Sequence, residues 1–191
     1  MSKDRHPVTP AVRVLREHGV VFSHHPYAYE ARGGTEVSAR ALGVDEHAVI
    51  KTLVMEDDAK RPLLVLMHGD REVSTGNLAR LLGVKSVVPC APATADRHSG
   101  YQVGGTSPFG TRHAMPVYME RSIGTLPYIY VNGGRRGYLV GMSPSDLTRV
   151  LKPEMVEVAV APRAKRPDHG SAGRRPRNAS DHPYQLDGST R

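Results

Sequence analysis

Apolar positions along this chain come in short bursts, and the residues flanking each burst punctuate it. Thr9-Pro10 offers a cap followed by a first-turn proline. Ala11, Val12 and Leu15 follow at helical spacing, and Gly19 ends the run. A second short helix begins at Thr35, carries Val37 and Leu42, and closes at Gly43. Ser74 to Leu82 has the same form, with Leu78, Leu81 and Leu82 on one side and Gly83 behind them. Ser143-Pro144-Ser145-Asp146 is a capping box with proline at the first helical position, leading into Leu147, Val150 and Leu151.

Strand-like runs lie between these helices: Val20–Ser23, Val49–Met55, Leu63–Met67, Lys85–Val88, Pro116–Met119, Tyr128–Val131, Tyr138–Val140 and Val156–Val160. Asp57-Asp58-Ala59-Lys60 predicts a hairpin turn joining the second and third. Helices and strands mix without regular alternation, and no internal repeat is visible. The expectation is one mixed α/β domain around a largely antiparallel or mixed sheet.

Composition narrows the class. The chain has 191 residues, 39% of them hydrophobic, with no Trp and two Phe, so the core must be built mostly from Val, Leu, Ile, Ala and Met. No apolar run approaches the ~20 residues of a membrane span. The start, Met1 to His6, is polar and unlike a secretory signal, and Cys90 is the sole cysteine. A cytoplasmic protein without a disulfide framework is expected. The net charge of +7 is unevenly spread: residues 161–191 hold seven Lys/Arg against three Asp, or +4. That stretch is rich in Pro and Gly and nearly free of aliphatic side chains, so residues 1–160 are expected to form the domain and 161–191 a disordered basic tail. The remaining domain is mildly basic, which is compatible with a nucleic-acid partner.

Three segments suggest chemistry. Lys51 interrupts the apolar run Val49–Met55; alternation can turn it to solvent, or it can stand at a pocket wall facing an anionic or carbonyl-bearing ligand. Gly104-Gly105-Thr106-Ser107-Pro108-Phe109-Gly110 lets backbone approach a ligand closely and can present amide N–H groups, or it is an ordinary connection. It lacks the Gly-Lys-Ser/Thr of a phosphate loop. Asn132-Gly133-Gly134 between two strands predicts a hairpin turn, with Arg135 and Arg136 at its edge available to phosphates or simply solvated. Cys90, at an apolar strand end, reads as a small buried hydrophobe. The ten histidines show no zinc-ligand spacing, and no Gly-x-Ser-x-Gly elbow exists. No metal and no cofactor are expected.

Together, Val49–Val54, Gly100–Gly110 and Ile129–Gly137, in this order, resemble the YbaK/EbsC family, as do Thr9–Val12 and Phe22–Tyr27. The resemblance covers residues 8–160. It implies a curved, barrel-like sheet flanked by helices and similarity to the editing domain of bacterial prolyl-tRNA synthetase. It also implies a free-standing aminoacyl-tRNA deacylase, most often one clearing Cys-tRNA(Pro). By matching positions, Lys51 and Gly105 would be catalytic. Tyr27, Thr52, Gly104, Thr106, Ser107, Pro108, Asn132, Gly133, Arg135 and Arg136 would line the substrate site. The substrate thiol would attack its own carbonyl, polarised by the Gly105 N–H, while Lys51 anchors the adenosine end or its phosphate.

Two departures touch the pocket: Asn132 stands where serine is common, and Gly33-Gly34 where an aromatic is often found. The implied partners are mischarged tRNA and prolyl-tRNA synthetase. The alternatives are a deacylase for another species such as Ala-tRNA(Pro), and a non-catalytic tRNA- or synthetase-binding module.

Overall fold

The computed structural model describes residues 6–162. The basic tail predicted for 161–191 lies almost wholly outside the described residues. Within them, helix α1 (Pro10–Glu17) starts where expected, with the Thr9 hydroxyl oxygen accepting from Val12 N at 3.1 Å. Strand β1 (Ser23–Pro26) begins three residues later than the run Val20–Ser23 suggests. Val20 is instead tied by its N–H to Leu15 O, closing α1, and its side chain enters the core. Helix α2 (Gly34–Leu42) ends on Gly43 in the left-handed region, φ 68°.

A short 3₁₀ turn, Glu46–Ala48, feeds β2 (Val49–Asp57), which makes a hairpin with β3 (Pro62–His68). The turn forms at the predicted residues, with Asp57 Oδ1 accepting from the amides of Ala59 and Arg61. Then come β4 (Glu72–Val73), α3 (Thr75–Leu82), β5 (Val87–Pro89) and α4 (Pro92–Ser99). In α3, Leu78 and Ala79 are buried but Leu81 is 60% exposed, so the buried stripe is narrower than the leucine spacing suggests. Sequence periodicity does not reveal α4, because its eight residues bury only Ala95 and Ser99.

The rest is β6 (Val117–Glu120), a 3₁₀ turn at Arg121–Thr125, β7 (Ile129–Arg135), β8 (Tyr138–Met142), α5 (Pro144–Leu151), β9 (Glu154–Val156) and β10 (Ala159–Val160). The β7–β8 turn is Arg136-Gly137, not Asn132-Gly133-Gly134. The glycine pair lies within β7, at a register shift between Asn132 and Arg135, with the Tyr138 ring packed where a Gly133 side chain would be. The single run expected over Val156–Val160 splits in two. Both Val158 N and Ala159 N donate to the buried Glu120 carboxylate, at 2.8 and 2.9 Å, and β10 then pairs with β4 in a separate small sheet.

The main sheet is mixed, ordered β1-β8-β7-β2-β3-β6-β9, with β5 joined to β2 off this path. No ladder joins β1 to β9 among the described residues, so hydrogen bonds do not close the barrel-like form. Alternation on the central strands feeds two cores. Ile50 and Leu66 pack with α1, α5 and β7–β8, whereas Met55, Val65 and Met67 pack with Leu78 of α3. Aliphatic and methionine side chains make up most of both cores, and Tyr101, Phe109 and Tyr138 are buried in the first.

Candidate functional site

The central strand β2 has two unequal edges. One pairs with β3 from Ile50 to Glu56. The other is shared: β7 runs parallel to it at Val49–Ile50, and β5 antiparallel at Met55–Asp57. β7 and β5 diverge between these points, and a cavity of about 760 Å³ opens in the gap. That size suits a small-molecule group. Its floor is Ile50–Val54; its sides are Tyr27, Tyr29 and the start of α2, the Gly104–Thr106 loop with Asn132 and Arg136, and Pro89-Cys90 with Ala95.

Of the residues singled out from sequence, Tyr27, Lys51, Thr52, Gly104, Thr106, Asn132 and Arg136 line this cavity. Gly105, Ser107, Pro108, Gly133 and Arg135 do not. Gly105, Ser107, Pro108 and Gly133 are buried behind the wall, and Arg135 is exposed. Ser107 Oγ accepts from Phe109 N, holding its own loop. At Gly105 a Cβ would lie 2.8 Å from Arg136 N, so glycine permits the loop to lie against β7. Its N–H donates to Gln102 O at 2.8 Å. Thr106 lines the cavity, and its N–H makes no hydrogen bond among the described residues.

Asn132 braces this loop from β7: Nδ2 donates to Gly104 O at 3.1 Å and Oδ1 accepts from Gly134 N at 3.0 Å. Arg136 Nε donates to Val103 O, and its guanidinium lies 5.3 Å from the Tyr29 ring centre. The Tyr29 hydroxyl sits where a Gly104 side chain would be, which explains glycine at that position, φ 90°. A planar cation stacked on an aromatic thus forms one lip of the cavity.

Lys51 is half-buried, and its ammonium donates to Arg71 O. Burial lowers its pKa, with Glu46, Glu72 and Asp70 opposing that shift. The carbonyl that holds it belongs to a braced turn that the sequence did not reveal. His47 Nδ1 and Asp70 Oδ1 are 2.8 Å apart, and the His47 and His68 rings stack at 3.6 Å. His68 Nδ1 lies 2.7 Å from His47 O, a carbonyl that can only accept, so this nitrogen carries a proton, and Nε2 is hydrogen-bonded to Ser122 Oγ at 2.8 Å. Thr35 Oγ1 donates to Glu46 Oε1 at 2.7 Å and lies 3.2 Å from Gly69 O. These residues are scattered from 35 to 122, and His68-Gly69-Asp70 directly after an apolar strand is the one local hint.

Cys90 faces the cavity but is protonated: burial first, then Glu56, pushes its pKa up to about 11. Among the described residues no group of three His, Cys, Asp or Glu side chains is placed to hold a metal, and no helix is long and apolar enough to cross a membrane.

The fold and site therefore define an α/β domain with a ligand-sized cavity cut into its central sheet. Residues 30–150 match the family model of the aminoacyl-tRNA editing domain, and the chain belongs to that family. The chain is similar, at 26% identity over 78% of its length and 92% of the relative's, to EbsC of Enterococcus faecalis, a candidate Cys-tRNA(Pro)/Cys-tRNA(Cys) deacylase. It is also 31% identical, over 58% of its length, to 17% of a proline–tRNA ligase of Nitratidesulfovibrio vulgaris. Among solved structures, a candidate trans-editing enzyme for prolyl-tRNA synthetase has a TM-score of 0.69 at 20% identity, covering 81% of this chain and all of its own. The hypothetical protein APE2540 reaches 0.73 at 22% identity, covering 80% of this chain and all of its own.

Proposed function

We propose that this protein is a trans-editing deacylase that clears cysteine mischarged onto proline tRNA, acting in the cytoplasm beside prolyl-tRNA synthetase. One observation carries the reading: among the described residues no His, Asp or Glu lines the cavity, while Lys51 and Thr106, whose main-chain N–H is unpaired, do. A site so equipped can hold an ester but offers no imidazole or carboxylate to activate water. The attacking group must then come with the substrate.

The cysteine thiol supplies it. As the thiol gives up its proton, its sulfur bonds to the ester carbonyl carbon, the bond from that carbon to the ribose oxygen breaks, and the ribose oxygen takes a proton. The products are cysteine thiolactone and intact tRNA. The Gly104–Thr106 loop stabilises the oxyanion, with Thr106 N–H as its free donor and Gly105 setting the loop's close approach. Lys51, steadied by Arg71 O, faces the ribose or its phosphate. Tyr27, Asn132 and Arg136 shape the mouth, and Arg135 lies outside it, available to the tRNA backbone. Attack from within the substrate avoids recruiting water, an advantage of up to ~7–11 kcal/mol in well-oriented cases.

Side-by-side deacylation of Cys-, Ser- and Ala-charged proline tRNA tests this. Cysteine should leave fastest, and serine, of the same shape but a weaker nucleophile, much more slowly. Equal rates for serine would refute the thiolactone route, and no release of any amino acid would leave a tRNA- or synthetase-binding module.

A further inference from the structure

We infer that the main chain of Thr52, left unpaired where β7 and β5 diverge, is a binding site for the free α-amino group and carbonyl of an amino acid ester. The inference rests on the deacylase reading and specifies what that cavity recognises.

In an antiparallel ladder, alternate residues turn their N–H and C=O to opposite edges. Asp57 N donates to Arg61 O, so 57, 55, 53 and 51 face β3. The even-numbered residues face the other edge, as Val54 O confirms by accepting from Cys90 N at 3.0 Å. On that edge the β7 register stops at Ile50–Val131 and the β5 register begins at Met55–Pro89. Thr52 lies between, and neither ladder includes it. Its N–H and C=O therefore point into the cavity it lines. Its hydroxyl is unpaired as well, but closed off from the cavity: Oγ1 is buried and without a hydrogen bond, the sole such side-chain atom among the described residues. Buried polar groups are otherwise almost always paired.

What fits this notch is one residue's worth of β-strand. A paired residue takes both main-chain groups of its partner, and an amino acid ester carries the same two groups one carbon apart. Its α-ammonium can donate to Thr52 O, and its carbonyl oxygen can accept from Thr52 N–H. The carbonyl's other lone pair remains for Thr106 N–H. The recognition reads the main-chain part of the amino acid and leaves side-chain choice to the rest of the cavity. An ester whose α-nitrogen is acylated, such as a peptidyl or formylated one, has lost the cation and two donors, and it is excluded.

The experiment uses the full chain and two non-hydrolysable probes: 3′-deoxy-3′-(L-alanylamino)adenosine and its N-acetylated twin. Binding is followed by titration calorimetry and by the Thr52 backbone amide resonance. The free-amine probe should shift that resonance, and acetylation should weaken affinity about 10- to 100-fold, as expected for losing hydrogen bonds from a charged group. Equal affinity of the twins, no binding of either, or binding that leaves the Thr52 resonance unmoved overturns the inference. A protein that binds the free-amine probe at Thr52 but deacylates no tRNA would refute the enzyme reading and uphold this one.

Discussion

Replacing Thr52 with valine exchanges the orphaned hydroxyl for a methyl group of nearly the same shape. In the folded protein Oγ1 is out of contact with solvent and has no partner. In the unfolded chain it is hydrated. A buried hydroxyl with no hydrogen bond typically costs about 1–3 kcal/mol. Thr52→Val removes that cost and also favours a strand, so the variant should be more stable by about 1 kcal/mol, the lower end because the cavity beside it lets water approach as the structure breathes. For a domain of this size that is a rise in Tm of roughly 2–4 °C. The assay is urea or thermal unfolding of both proteins. A variant less stable than the parent by 1 kcal/mol or more would show that the hydroxyl has a structural partner, and the reasoning from its vacancy would fail.

Three further outcomes follow from the same geometry. Lys51→Ala should abolish nearly all deacylation while circular dichroism shows an intact fold, and Lys51→Arg should not restore it, since a planar guanidinium does not replace a compact ammonium at the Arg71 carbonyl; near-normal turnover in the alanine variant would make Lys51 a surface residue. Burial holds the His68 pKa below its ordinary 6.5, so the unfolded state binds the extra proton first, and the His68 contribution to stability is present above pH 6.5 and is lost as pH falls below it. Unfolding experiments across that window should show the slope flattened in His68→Gln. Deleting residues 163–191 should leave turnover at saturating tRNA unchanged and make tRNA binding less sensitive to salt, because seven cations leave with the segment; a large loss of turnover would place the tail in the active site.

Much of the framework was legible because it is local. Thr9-Pro10, Gly43, Gly83 and the box at Ser143 each satisfy or end helix backbone within a few residues, so neighbours in sequence suffice to place α1, α2, α3 and α5. The apolar runs of β2 and β3 and the turn at Asp57 are legible for the same reason. Helix α4 escaped because it buries too little to show a period, and the turn at Arg136-Gly137 was displaced by a more typical-looking glycine pair. That pair is needed instead for the Tyr138 ring and a bulge.

From the sequence alone came the mixed α/β class, the helix termini, the family resemblance and the short list that includes Lys51, Thr52 and the Gly104–Thr106 loop. Tertiary structure decided which of those residues meet. It put Gly105, Ser107, Pro108 and Gly133 behind the wall, turned Asn132 into a brace for the loop, and drew His47, His68 and Asp70 into the support of the Arg71 carbonyl. It also left Thr52 without a strand partner. Residue spacing records which side chains alternate along a strand, but not which strands lie on either edge or where two of them part. That is set by pairing between segments some eighty residues apart, such as β2 with β7, and only the folded sheet determines it.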